Sequence, residues 1–172
     1  ALYWKNGIIN FLSTAGINYG YTSGIFASNG DLYFTGRETN NTQTANTGVY
    51  WKNGVKTTLT FSVPYTSSDP YSVFVDNNDV YVAGSVTQPN ISNATYWKNN
   101  NINLLTNYTA GSTSADLYDI FVKAGIVYTV GDAYQTSGGG RTTPLYFQNN
   151  VAVPLTGFTN TQDASAYSIF VK

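Results

Sequence analysis

Histidine and cysteine are absent from the 172 residues. Without histidine the chain lacks the side chain that most often serves as a general base near neutral pH and the commonest metal ligand. Without cysteine it has no thiol nucleophile, no disulfide framework and no thiolate metal site. Glutamate occurs once, at Glu38, and no two aspartates fall at a spacing that predicts an acid/base pair. Charged residues make up only 10% of the chain, eight basic and nine acidic for a net charge of −1, and they are scattered singly. No basic stripe exists to neutralise phosphates, so nucleic acid is not an expected partner. No apolar run approaches a membrane span, and Ala1-Leu2-Tyr3-Trp4-Lys5 is not a charged segment followed by an apolar one. The expectation is a chain from which any export signal has already been removed.

Aromatic residues form 16% of the chain, and Asn, Thr, Ser and Gly fill most of the rest. A surface solvated by hydroxyls and amides rather than by Lys and Glu suits an extracellular or cell-surface setting. Order within this composition comes from repetition, which is the first thing to test in such a sequence. Tyr3-Trp4-Lys5-Asn6-Gly7 recurs as Tyr50-Trp51-Lys52-Asn53-Gly54, as Tyr96-Trp97-Lys98-Asn99-Asn100 and, in altered form, as Tyr146-Phe147-Gln148-Asn149-Asn150. The second aromatics are 47, 46 and 50 residues apart, and eight residues after each comes Leu12, Leu59, Leu105 or Leu155. A second signature runs in phase through Phe26, Phe74, Phe121 and Phe170, at steps of 48, 47 and 49. A third follows it: Leu32-Tyr33-Phe34-Thr35-Gly36, Val80-Tyr81-Val82-Ala83-Gly84 and Val127-Tyr128-Thr129-Val130-Gly131.

Each unit reads as four short strands, because β-branched and aromatic residues alternate with small or polar ones and no stretch has helical spacing. Asn53-Gly54, Asn29-Gly30 and Asn77-Asn78 are tight-turn signals, since Asn and Gly tolerate the positive φ that two-residue hairpins require. Four antiparallel strands repeating at about 47 residues is the pattern of a β-propeller blade, so the fold expected is all-β, with about four blade-equivalents in residues 1–172. Units fall at 1–24 (partial), 25–72, 73–119, 120–167 and 168–172 (partial). The Phe strands are expected nearest the axis, followed by the Tyr, Trp and Leu strands. Trp4, Trp51, Trp97 and Phe147, with the four phenylalanines, are expected as core or inter-blade packing. An open β-solenoid and a sandwich are the competing architectures.

The strings YWKNG, IFV and DVYVAG resemble the tandem repeats of bacterial β-propeller proteins of the Bacteroidetes type, over essentially the whole chain. The resemblance implies a propeller and an exported or surface-exposed setting, and implies no established activity. On strand counting, the chain stops in a Phe strand at Ser168–Lys172, one strand short of a multiple of four. Further blades from a longer chain, another copy of the chain, or a different strand order would resolve this.

If strand direction alternates, tight turns lie on one face and long loops on the other. The long segments are expected near 13–24, 37–48, 61–71, 85–95, 106–117, 132–145 and 156–167, where a scaffold places recognition. Candidate ligand-binding residues there are Tyr19, Tyr21, Arg37, Tyr65, Asp69, Tyr108, Asp116, Asp132, Tyr134 and Arg141. Tyrosine faces can stack on sugar rings while Asn, Asp and Arg bond hydroxyls, although the same tyrosines can simply cap the core. Tyr71, Tyr118 and Tyr167 each stand three residues before a phenylalanine and read as architectural. Lys5, Lys52 and Lys98 read as turn solvation and edge protection. Asp76-Asn77-Asn78-Asp79 has oxygen ligands but lacks the glycine and distal glutamate of a calcium loop, and reads as a hairpin turn. No metal and no cofactor is expected. The first reading is a non-catalytic module binding a protein or glycan. The alternatives are a carbohydrate-specific lectin, a structural repeat of a large surface protein or filament, and a hydrolase, a propeller sialidase being disfavoured by only two arginines, Arg37 and Arg141.

Overall fold

Alternating β-branched and aromatic residues between Asn- and Gly-rich turns give a chain that is strand throughout its regular structure. The computed structural model describes residues 1–12, 19–39, 42–105, 112–135, 140–157 and 163–172. Among these there are fourteen strands and no helix, and thus no helix that could cross a membrane. β1 (Leu2–Lys5) and β2 (Ile8–Phe11) form a hairpin that pairs with no other strand among the described residues and packs through Tyr3 on Phe34 at 4.2 Å. β3 (Tyr19–Ser28), β4 (Asp31–Thr39), β5 (Asn46–Lys52) and β6 (Val55–Thr58) pair antiparallel in sequence order. The same order recurs in β7 (Ser67–Asp76), β8 (Asp79–Gln88), β9 (Ile91–Lys98) and β10 (Asn101–Leu104). It recurs again in β11 (Ser112–Lys123), β12 (Ile126–Gln135), β13 (Arg141–Gln148) and β14 (Val151–Ala152).

The last two groups are joined into one eight-stranded sheet by a single parallel pair, Ser114 opposite Ser92. Among the described residues the layout is therefore a two-, a four- and an eight-stranded sheet, and no ring of sheets closes. The joint itself repeats. Asn46, Ser92 and Thr142 are equivalent positions, and so are Ser67, Ser114 and Asp163. Asn46 N donates to Ser67 Oγ at 3.0 Å and Thr142 N donates to Asp163 Oδ1 at 2.7 Å, at the place where Ser92 and Ser114 pair.

The YWKNG string is a latch between neighbouring strands. Trp51 and Trp97 are fully buried and Phe147 nearly so. The following Lys52 and Lys98 pair with Asp31 and Asp79 at 2.9 and 2.8 Å and lie over the rings of Tyr33 and Tyr81. The next residue continues the ladder through its side chain: Leu32 N donates to Asn53 Oδ1, Val80 N to Asn99 Oδ1 and Val127 N to Asn149 Oδ1. Asn53 and Gly54, Asn77 and Asn78, and Asn99 and Asn100 all have positive φ, as two-residue hairpins demand. Asp76-Asn77-Asn78-Asp79 is such a turn, with Asp79 engaged by Lys98 and Asn99.

Four expectations need correction. Trp4 is 64% exposed, because Trp51 and Trp97 are buried against Leu12 and Leu59 of the preceding unit and, among the described residues, no such leucine packs on Trp4. Residues 168–172 form no strand; Ser168 and Ile169 instead bond to Asp119 Oδ2. The Phe strands, expected nearest the axis, are not the most buried: β4, β8 and β12 are. The segment 85–95 is no loop, because β8 and β9 turn at Pro89-Asn90, where Asn90 has φ 65°. The connections expected at 13–24, 37–48, 61–71, 106–117 and 132–145 are shorter than expected, because strands run into those spans, whereas 156–167 holds no strand among its described residues.

Candidate functional site

Position in the site begins with an irregularity shared by the first strands of the three repeats. In β3, β7 and β11 the register shifts by one residue opposite β4, β8 and β12, leaving Ser23, Tyr71 and Tyr118 as the extra residues of β-bulges. The facing residues are Gly36, Gly84 and Gly131, where a Cβ would run into the carbonyl oxygens of Tyr21, Asp69 and Asp116. The bulge turns each extra residue out of the alternation and lines the tyrosines up across repeats. Tyr71 and Tyr118 meet edge to face at 5.5 Å, and Tyr118 stacks on Tyr167 at 5.1 Å. A parallel column of phenylalanines, Phe26, Phe74, Phe121 and Phe170, runs at 4.6, 4.7 and 5.4 Å.

Carboxylates and one guanidinium surround the tyrosine row. Arg37 Nη1 donates to Asp69 Oδ1 at 2.7 Å, Asn46 Nδ2 donates to the same oxygen at 2.9 Å, and the guanidinium lies 5.4 Å from the Tyr21 ring centroid. Ser92 Oγ donates to Asp116 Oδ1 at 3.2 Å. Asp132 is buried and accepts from Tyr118 Oη at 3.1 Å and Ser165 Oγ at 2.6 Å. Burial, and after it the carboxylates of Asp116 and Asp69, push the Tyr71 phenol up to about 12. Burial chiefly, with Asp132 and Asp116 next, raises the Tyr118 phenol too. Asp116 is itself pushed up by burial against the pull of the Ser85 and Ser92 hydroxyls. Both phenols are thus neutral donors at physiological pH. Between Tyr71 and the first repeat lies a cavity of about 210 Å³ lined by Tyr21, Ser23, Gly36, Arg37, Pro70 and Tyr71.

Of the candidates read from the sequence, Tyr21, Arg37, Asp69, Asp116 and Asp132 come together around Tyr71, all of them on strands rather than loops. Tyr19 is exposed at the start of β3, opposite Thr39. Tyr65 lies in the β6–β7 connection, packed against the Leu59, Val73 and Trp97 cluster. Tyr134 is exposed near the end of β12 beside Gly140, and Arg141 opens β13 opposite Gln135. Tyr108 lies outside the described residues. Sequence reasoning passed over Tyr71 and Tyr118 as architectural, and it passed over Asp119 altogether. Asp119 accepts from Ser72, from Ser168 and from the Ile120 and Ile169 amides, and so ties three repeats together. The signal for the bulge was the glycine closing the third signature in every repeat.

Glu38 is not placed for chemistry: it is buried, and both its oxygens accept from Lys56 Nζ, at 2.9 and 2.8 Å. Among the described residues no three acidic side chains gather in a way that would hold a metal ion. Comparison of the chain with protein-family models, with curated proteins and with solved structures finds no match.

Proposed function

We propose that this chain is a non-catalytic interaction module of an extracellular or cell-surface protein, built of β-propeller blades like the bacterial tandem repeats its motifs resemble. It engages a protein or glycan through the face that carries the tyrosine row and the side chains gathered around Tyr71. The observation that carries the reading is the convergence of Tyr21, Arg37, Asp69, Asp116 and Asp132 around Tyr71. Phenols, amides and paired charges at one place make a surface that recognises hydroxyls and amides, the mixture favoured where polar partners are bound.

Support for a propeller comes from three features that recur from repeat to repeat: the strand order, the joint at Asn46–Ser67, Ser92–Ser114 and Thr142–Asp163, and the phenylalanine column. Further blades, from a longer chain or another copy, complete the ring in this reading. Against catalysis, the sole glutamate is held by Lys56, Asp69 by Arg37 and Asn46, and Asp132 by Tyr118 and Ser165. A carboxylate already held by donors in this way is less free to abstract or deliver a proton.

Binding of the purified chain to arrayed glycans and to purified extracellular proteins tests the reading. A ligand lost on Arg37→Ala in a folded variant supports it. Turnover of a glycoside or ester by the wild-type chain overturns it, as does a blank on every surface, which leaves the repeats as structural units of a filament or large surface protein.

A further inference from the structure

The tyrosine row has a position without a ring. Ser23, Tyr71 and Tyr118 are the extra residues of equivalent bulges, and Tyr167 continues the sequence phase. Ring follows ring from Tyr167 through Tyr118 to Tyr71, where the row stops because the next residue is Ser23. The cavity of about 210 Å³ lies at this place, between Ser23 and the Tyr71 ring. At about 30 Å³ for each water it has room for about seven waters, or for one six-membered ring with its substituents.

We infer that this cavity binds a single neutral pyranose ring of a glycan in the place that a tyrosine ring holds in the other repeats. This inference rests on the interaction-module reading and names its ligand and site. Tyr71 and Tyr21 supply aromatic faces for the C–H face of the sugar. Arg37 lines the cavity with a guanidinium of five N–H donors, of which one on Nη1 goes to Asp69 Oδ1 at 2.7 Å. Ser23 Oγ donates to the Pro70 carbonyl at 2.7 Å, which leaves its own lone pairs to accept. A donor and an acceptor on one wall suit a ring bearing several hydroxyls better than a phenol bearing one. An anionic ring is disfavoured, because the Arg37 charge is already matched by Asp69 while Asp116 and Asp132 also stand near Tyr71.

The test follows the Gly36 amide and the Arg37 Nε–H by NMR while the folded chain is titrated with methyl glucoside, methyl mannoside, methyl galactoside, methyl glucuronide or N-acetyltyrosinamide. The expected result is millimolar binding of at least one neutral glycoside that shifts both signals. Ser23→Tyr, which inserts the missing ring, should weaken that binding at least about tenfold. Binding of the glucuronide or the tyrosine amide in preference to every neutral glycoside overturns the assignment, as does no shift with any neutral glycoside. Glycoside binding that survives Ser23→Tyr removes this site while leaving the module reading intact. Should Ser23→Tyr not fold, the wild-type shifts decide: perturbation centred on Gly36 and Arg37 supports the site, and perturbation elsewhere overturns it.

Discussion

Glu38 shows what a single side chain contributes in a chain so poor in charge. Its carboxylate is almost completely buried and held by both oxygens on Lys56 Nζ. Removing one partner of such a pair strands the other in a low dielectric, at a cost of about 3–5 kcal/mol. Lys56→Met should therefore lower the unfolding free energy by about that amount in urea titrations, and Lys56→Met with Glu38→Gln should recover part of it. The exposed pairs Lys52–Asp31 and Lys98–Asp79 act differently. Hydrogen bonds from their lysines, and then from Asn53 and Asn99, hold both aspartates below the ordinary value of 3.8. A depressed folded-state carboxylate contributes stability that is present above 3.8 and is lost as pH falls from there through the lower folded value. Lys52→Met with Lys98→Met should flatten this acid limb of the stability curve while leaving its shape from pH 5 to 7 unchanged. Asp116 has the opposite sign: burial raises it, so its contribution is full below 3.8 and declines as pH rises through the raised value.

At the level of the strand and turn, conformation follows residue type until one residue breaks the pattern. Ala124 has φ 50° in the β11–β12 turn, where the equivalent turn residues are Asn29 and Asn77. An L-residue without a side-chain amide is held there at a cost of about 1–2 kcal/mol, so Ala124→Asn should raise the urea midpoint with an unchanged slope. Gly84 carries the reverse risk. A Cβ there meets the Asp69 carbonyl and Pro70, and Gly84→Ala should cost about 1–3 kcal/mol while disturbing the amide shifts of the Tyr71 bulge. The succession of Phe, Tyr, Trp and Leu strands along the chain was legible because these residues keep phase, while their order in the sheet stayed open until the pairings fixed it. Strand ends were less legible. Tyr21, Arg37 and Asp69 lie past the apolar stretches, and ladder hydrogen bonds rather than hydrophobic alternation carry the strands out to them. The clustering of those residues was half visible: their types pointed to binding, but only the bulge, marked by Gly36, Gly84 and Gly131, sets them around Tyr71. Trp4 was misplaced because phase gives the register of a residue without showing whether a preceding unit covers it.

Across the whole molecule, repeats that contact only their neighbours make stability a matter of position along the array. Phe74 and Phe121 each touch two rings of the phenylalanine column, whereas Phe26 and Phe170 each touch one. Phe170 is 73% exposed, and β1 and β2 form a lone two-stranded hairpin with Trp4 uncovered. Such a hairpin is marginal by itself, so opening should begin at the two ends and reach the β7–β10 repeat last. Phe121→Ala should accordingly cost about 1–3 kcal/mol, since its half-buried ring meets both Phe74 and Phe170, and Phe170→Ala under about 1 kcal/mol. Hydrogen exchange offers an independent reading of the same gradient. Amides of Val82, Ala83 and Val86, buried in a strand flanked on both sides, should exchange only through global unfolding, while those of Leu2–Phe11 exchange through local opening. Equal protection across the two segments would mean that the repeats unfold as a single unit, with inter-repeat coupling through Asp119 and the phenylalanine column stronger than the stability of any one repeat.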